Sequence, residues 1–187
     1  MKKILFFSSI GFVCSIFIFV LISRAFYYSN VPQSCISCHE MQVFYESWKL
    51  SAHGIKEKGV FKARCVDCHL PHDSFFNYVT YKIKAGVNDW WAHILRKKDT
   101  PDKWLSYLVE KELKGSKKTV AFDSGCKRCH KELIGHGIPL KAIKAHKEYL
   151  LGETEKNCVS CHKEVGHGDI ITFITKLRKK TKNKKGG

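Results

Sequence analysis

Cys35-Ile36-Ser37-Cys38-His39 recurs in kind as Cys65-Val66-Asp67-Cys68-His69, Cys126-Lys127-Arg128-Cys129-His130 and Cys158-Val159-Ser160-Cys161-His162. Each is CxxCH, in which two thiols add to the vinyl groups of a haem and the adjacent His reaches the iron. Zinc sites and redox dithiols also use CxxC, but neither requires a His directly after the second Cys. With ten His in 187 residues, four such coincidences would arise by chance about once in 10⁵ trials. The motifs absorb eight of the nine cysteines. Four covalently bound c-type haems are therefore expected.

That cofactor load decides the fold class. A chain of 187 residues allows one or two small domains. About 160 residues follow the apolar N-terminus, leaving roughly forty per haem, too few for an independent apolar core around each. The haems must fill most of the core, carried on short helices. The expected fold is mainly α: one N-terminal transmembrane helix plus a small multihaem domain with little β-structure. Phe75 to Leu95 and Asp102 to Gly115 read as helices, the latter with Pro101 in its first turn.

Ile4 to Ile22 is a run of 19 uncharged residues, mostly Ile, Leu, Phe and Val. At about 1.5 Å per residue it reaches roughly 28 Å, close to the hydrocarbon thickness of a bilayer. Lys2 and Lys3 precede it, so the positive-inside tendency leaves the N-terminus cytoplasmic and the bulk of the chain in the periplasm. Arg24, Tyr27 and Tyr28 fall where snorkelling and interfacial aromatic residues are expected. A cleavable signal would have a shorter apolar region ending in small residues, and Ser23-Arg24-Ala25 is the only weak candidate. Cys14, inside the run, reads as a small membrane-facing hydrophobe.

Thirty-three Lys and Arg against 17 Asp and Glu give a formal charge of +16. Haem propionates would offset part of it. Aromatic content of 12% argues against disorder, and an exported haem protein is no nucleic-acid binder. The motif histidines are 30, 61 and 32 residues apart, which suggests two dihaem units around an insert. The expected plan is 1–28 cytoplasmic N-terminus and membrane anchor, 29–170 periplasmic tetrahaem domain with a helical insert at 73–120, and 171–187 a basic tail. After Asp169 no acidic residue remains, while Lys176, Arg178, Lys179, Lys180, Lys182, Lys184 and Lys185 follow. Such a run reads as a solvated tail, with docking onto anionic lipid or an acidic partner as the functional alternative.

Electron-transfer haems need a second axial ligand, whereas a substrate-contacting haem can keep one position open. Six His lie outside the motifs: His53, His72, His93, His136, His146 and His167. A His three to six residues beyond its own motif His can hardly reach the opposite face of the same haem, so His72, His136 and His167 would serve a different one. His53 and His146 have enough chain to swing across. The first motif continues Cys38-His39-Glu40-Met41, offering a thioether as an alternative ligand that would raise the haem's potential.

These features resemble the NapC/NirT family of membrane-anchored tetrahaem quinol dehydrogenases, and within it the NrfH-type small subunits of cytochrome c nitrite reductase. The resemblance rests on the anchor, CxxCHxM at the first motif, and Cys65-Val66-Asp67-Cys68-His69-Leu70-Pro71-His72. It extends through Lys82-Ile83-Lys84-Ala85-Gly86-Val87-Asn88-Asp89, Asp99 to Lys103, and Lys163-Glu164-Val165-Gly166-His167. With no fifth motif, the pentahaem relatives serving trimethylamine oxide reductase are disfavoured. The resemblance implies that Met41 rather than His39 binds the first iron. It implies proximal His69, His130 and His162, with His53 distal on haem three, His167 on haem two and His146 on haem four, unless a partner supplies that last ligand.

Quinol oxidation releases two electrons and two protons, so its site needs a nearby haem, a proton acceptor and a polar group to orient the head. Lys82 and Asp89 are seven residues apart and share a helix face, among Phe75, Phe76, Tyr78, Tyr81, Trp90 and Trp91. Asp89 would take a proton; Lys82 would bond the quinol oxygen and keep Asp89 ionised. Lys84, on another face, is the competing lysine. The leading expectation is menaquinol oxidation, with electrons passing to a periplasmic multihaem reductase. The catalytic subunit of cytochrome c nitrite reductase comes first as partner and periplasmic nitrate reductase second. A released electron shuttle without a quinol site and a terminal reductase in its own right are the other classes.

Overall fold

The computed structural model describes residues 2–54, 63–95, 103, 105–106, 108–110 and 121–185. They form helices and turns and, among the described residues, no strand. The helix expected at Phe75–Leu95 is present with those bounds. Of the one expected at Asp102–Gly115, residues 103, 105–106 and 108–110 are helical and the rest lies outside the described residues.

Helix α1 (Lys2–Tyr28) is continuous over 27 residues. Its segment Phe6–Tyr28 is long and apolar enough to cross a membrane, and no part of its apolar window is buried in the protein. A helix apolar on every side has nothing to gain from water, so a bilayer is its natural surroundings.

Short helices then carry the motifs. Helix α2 (Pro32–Cys35) starts with Pro at its first position and leads into a 3₁₀ turn, His39–Met41, and helix α3, Gln42–Lys49. Helix α4 (Cys65–His69) opens with the Asp67 carboxylate accepting the Arg64 backbone N–H at 2.8 Å. Helix α5 is Phe75–Leu95 and helix α6 is Asp123–Cys129. Helix α7 (Leu140–Leu150) ends beyond Leu151 at Gly152, whose φ of 72° lets the chain turn where a side chain would strain it. Helix α8 (Cys158–Cys161) is capped by Asn157, which accepts the Ser160 N–H at 2.9 Å.

The buried apolar residues among those described are Trp48, Val66, Leu70 and Ile174. So thin a core fits the expectation that prosthetic groups fill the interior. Helix α9 (Ile170–Lys185) replaces the expected solvated tail, and the boundary drawn at 170/171 falls in its first turn. The reason is local: Ile170, Ile171, Ile174 and Leu177 recur at helical spacing, Ile174 is wholly buried, and the helix packs on α3.

The motifs follow one another in space. Helix α2 touches α4 and α4 packs on α6. The Cys35 side chain lies near that of Cys65, and that of Cys126 near that of Cys158.

Candidate functional site

Three motif histidines each face one non-motif histidine. Ring centroids are 6.1 Å apart for His69 and His167, 6.0 Å for His130 and His53, and 6.2 Å for His162 and His146. Two metal–imidazole bonds of about 2 Å, plus about 1 Å from each nitrogen to its ring centre, give roughly 6 Å. In every pair the non-motif ring is oriented from behind. Nδ1–H of His53 donates to the Val165 carbonyl at 3.2 Å, that of His146 to Leu133 at 2.6 Å, and that of His167 to Phe44 at 2.9 Å. This tautomer leaves Nε2 with an unprotonated lone pair, as a metal ligand requires. Burial, with His69 nearby, holds the pKa of His167 below the usual imidazole value, which also favours that neutral form. Cys35, Cys38, Cys65, Cys68, Cys126, Cys129, Cys158 and Cys161 are all free of disulfides. This donor set fits covalently attached c-type haem, and its imidazole pairs fit six-coordinate iron.

The first motif is built differently. The His39 and His93 rings lie 5.6 Å apart, but a carboxylate stands between them. Glu40 Oε1 accepts Nδ1–H of His93 at 2.7 Å and lies 3.4 Å from Nε2 of His39. Burial would raise the Glu40 pKa, yet hydrogen bonds from its own backbone and from His93, with the two imidazoles nearby, hold it below the carboxylate norm. Nε2 of His39 is turned to Glu40, and the half-buried Met41 is the other side chain of this motif with a donor atom that could reach iron. Glu40 and the His93 contact were not foreseen. The signal was available in the four-residue step from Asp89 to His93, which puts both on one face of a helix.

Helix α5 presents that face to the first motif. Tyr78 O–H donates to Asn30 Oδ1 at 2.6 Å, and Lys82 Nζ donates to the same oxygen. The Lys82 ammonium also lies 4.6 Å from the Phe26 ring centre and 5.7 Å from that of Tyr78. Both Lys82 and Asp89 act electrostatically on Cys35. Burial, outweighing the Cys35 thiol, lowers the Lys82 pKa, and burial raises that of Asp89. The expected Lys82–Asp89 pairing is not formed among the described ion pairs. Lys82 instead goes to Asn30, so Asp89 is tuned by desolvation rather than by that cation.

The opposite side of α5 is apolar and exposed at Phe76, Ile83, Val87, Trp90 and Trp91. A groove of about 430 Å³, lined by Ile83, Lys84, Val87, Asn88 and Trp91, lies there. All five residues come from one helix, and Lys84 is turned about half a revolution from Lys82.

An apolar spanning helix, CxxCH turns and paired imidazoles define a membrane-anchored multihaem c-type cytochrome. The chain belongs to the NapC/NirT cytochrome c family, whose N-terminal region matches residues 1–171. It is 30% identical over 162 residues to the cytochrome c-type protein TorC of Escherichia coli K12, covering 85% of this chain and 40% of TorC. It is 29% identical over 161 residues to the cytochrome c-type protein NapC of Paracoccus pantotrophus, covering 84% of this chain and 66% of NapC. A protein of Allochromatium vinosum described as a tetraheme cytochrome-c type is 31% identical over 147 residues, 74% of each chain. The chain thus spans about two fifths of TorC and just under two thirds of the Paracoccus NapC. No solved structure matches it.

Proposed function

We propose that this chain oxidises a quinol, menaquinol by family resemblance, at the membrane surface and relays the electrons through four c-type haems to a periplasmic reductase. The carrying observation is that Lys82 and Asp89 each act on Cys35 of the first motif from the inward face of α5, opposite that helix's exposed apolar side. When bound, the haems supply one-electron transfer. Everything else falls to side chains.

Asp89 accepts a proton from the quinol hydroxyl; its raised pKa brings it closer to the operating pH, where a general base is most effective. Lys82, held by Asn30 and with its charge less firmly retained, donates a hydrogen bond that orients the quinol oxygen. The outward apolar residues of α5 lie in the interface, where the isoprenoid tail can stay in lipid. When the haems are bound, His69 with His167, His130 with His53 and His162 with His146 would hold the second, third and fourth irons, and Met41 would hold the first. The lysines before α1 and the position of the motifs after it support a periplasmic location for residues 29–187.

The reductase is cytochrome c nitrite reductase as first choice, on the resemblance of the motifs. The matches to proteins named NapC favour the nitrate-reductase donor as a second reading. Anaerobic reduction of the anchor-intact holoprotein in detergent by a menaquinol analogue tests the common part. Rapid reduction of the c-type absorption bands is expected. Normal reduction by dithionite with none by quinol would remove the quinol site from this chain.

A further inference from the structure

His72 differs in kind from the histidines that face a motif ring. Its Nε2–H donates to the Val66 carbonyl at 3.0 Å, and its Nδ1 accepts from Arg128 Nη1 at 3.0 Å. Both nitrogens of a neutral imidazole are thereby used, one as donor and one as acceptor, and no lone pair is left for iron. The backbone N–H of His72 donates to Ser124 Oγ at 2.9 Å, and its ring lies 5.2 Å from that of Tyr78 on α5.

These partners lie on two motif helices. Val66 belongs to α4; Ser124 and Arg128 belong to α6. The same seam is closed elsewhere. Phe122 N–H donates to the Cys68 carbonyl at 2.9 Å, and Arg128 Nη1 lies 3.8 Å from Asp67 Oδ1. At Gly125 of α6 a Cβ would come within 2.0 Å of the Asp67 carbonyl oxygen and 3.4 Å of His72 Cδ2, so the two helices approach backbone to backbone. A contact that close is held by specific hydrogen bonds rather than by a pad of apolar side chains, because there is no room for one.

We propose that His72 is a positioning residue for electron relay: a neutral strut that fixes the second haem-attachment helix against the third. It rests on the reading of α4 and α6 as attachment sites and not on the quinol site. Relay between neighbouring motifs depends on their spacing, and His72 is the side chain that touches both helices and α5 at once.

The test uses the full-length, haem-loaded protein with His72→Phe, His72→Gln and Arg128→Ala. Phe keeps a flat ring against Tyr78 but can neither donate nor accept. Gln can still donate to Val66 and accept from Arg128. Electron paramagnetic resonance would count low-spin and high-spin haems, potentiometry would give the potentials, and flash photoreduction would time redistribution of electrons among haems. In His72→Phe the low-spin count is expected to stay as in the parent, two of the potentials to move, and redistribution to slow by about tenfold. Gln should recover most of that rate, and Arg128→Ala should show the same change in smaller measure.

A new high-spin signal in His72→Phe would make His72 an iron ligand and overturn the proposal. Unchanged potentials and rates in both His72→Phe and Arg128→Ala would overturn it equally. Should His72→Phe not fold, Arg128→Ala decides: parental potentials and rates there would sink the proposal. None of these measurements uses quinol, so failure here and failure of the quinol site are separate results.

Discussion

The first motif and the third differ by one carboxylate between facing rings, and on the proposed function that difference separates an entry from a relay. At the third, His130 faces His53 at 6.0 Å and His53 is pinned from behind by the Val165 carbonyl. At the first, His39 faces His93 at 5.6 Å, but Glu40 occupies the space between the rings. A closed imidazole pair exchanges electrons and admits no substrate; an iron whose motif His is engaged elsewhere can be ligated on one side and left accessible on the other. The motif of the second kind is also the one against which α5 sets Lys82 and Asp89.

The largest effects should come from attacking the pairs. His53→Ala, His146→Ala or His167→Ala removes an Nε2 donor, and each is expected to turn one haem of the loaded protein high-spin, read by electron paramagnetic resonance. His93→Ala should leave the low-spin count as it was, whereas Met41→Leu should alter the spin state or potential of a single haem. A high-spin haem produced by His93→Ala, with Met41→Leu silent, would erase the distinction between the first motif and the others.

Next in size is Asp89→Asn, which should slow quinol-driven haem reduction about 100-fold while dithionite reduction is unaffected. Because Asp89 must be ionised to accept a proton and burial raises its pKa, the parent's quinol rate should fall on acidification at a pH above the ordinary Asp value of about 3.9. The stability sign runs the other way. A carboxyl whose pKa is raised by folding favours the native state below the unfolded-state pKa, and that contribution is lost as pH rises through the native value. Asp89→Asn should therefore be no less stable than the parent at neutral pH. Equal quinol rates in parent and variant would take Asp89 out of the mechanism and leave the first motif a relay like the rest.

Much of this contrast could be seen along the chain before any coordinates. Cysteine spacing specified the attachment turns, and helical periodicity specified α5, because both are local properties. The partners of the iron pairs are not local. His53 meets a motif 77 positions on and His167 one 98 positions back, so only family resemblance could propose them. The Glu40 bridge was hidden for the same reason: a carboxylate beside a motif His is unremarkable until α5 brings His93 to it. The helix at the C-terminus was masked by its charge. Seven cations after Asp169 outweigh, on inspection, the apolar residues that seat it.

That seating gives the smallest effect. Ile174 is completely buried, and truncation to Ala should cost about 2–4 kcal/mol through lost burial and the cavity left behind. For a chain of this size that is a fall of roughly 5–15 °C in the thermal midpoint. The loss should stay out of the iron sites even though α3, on which α9 docks, supplies the Phe44 carbonyl that orients His167. His167 is tied to α3 a second time, because Ser47 Oγ donates to its carbonyl oxygen. Loosening α9 removes one neighbour of α3 without breaking either bond. An unchanged midpoint would mean that α9 is not docked. A lowered midpoint accompanied by a high-spin haem would mean that α9 supports the second iron, and that the relay side of the molecule depends on the same short helix that follows the first motif.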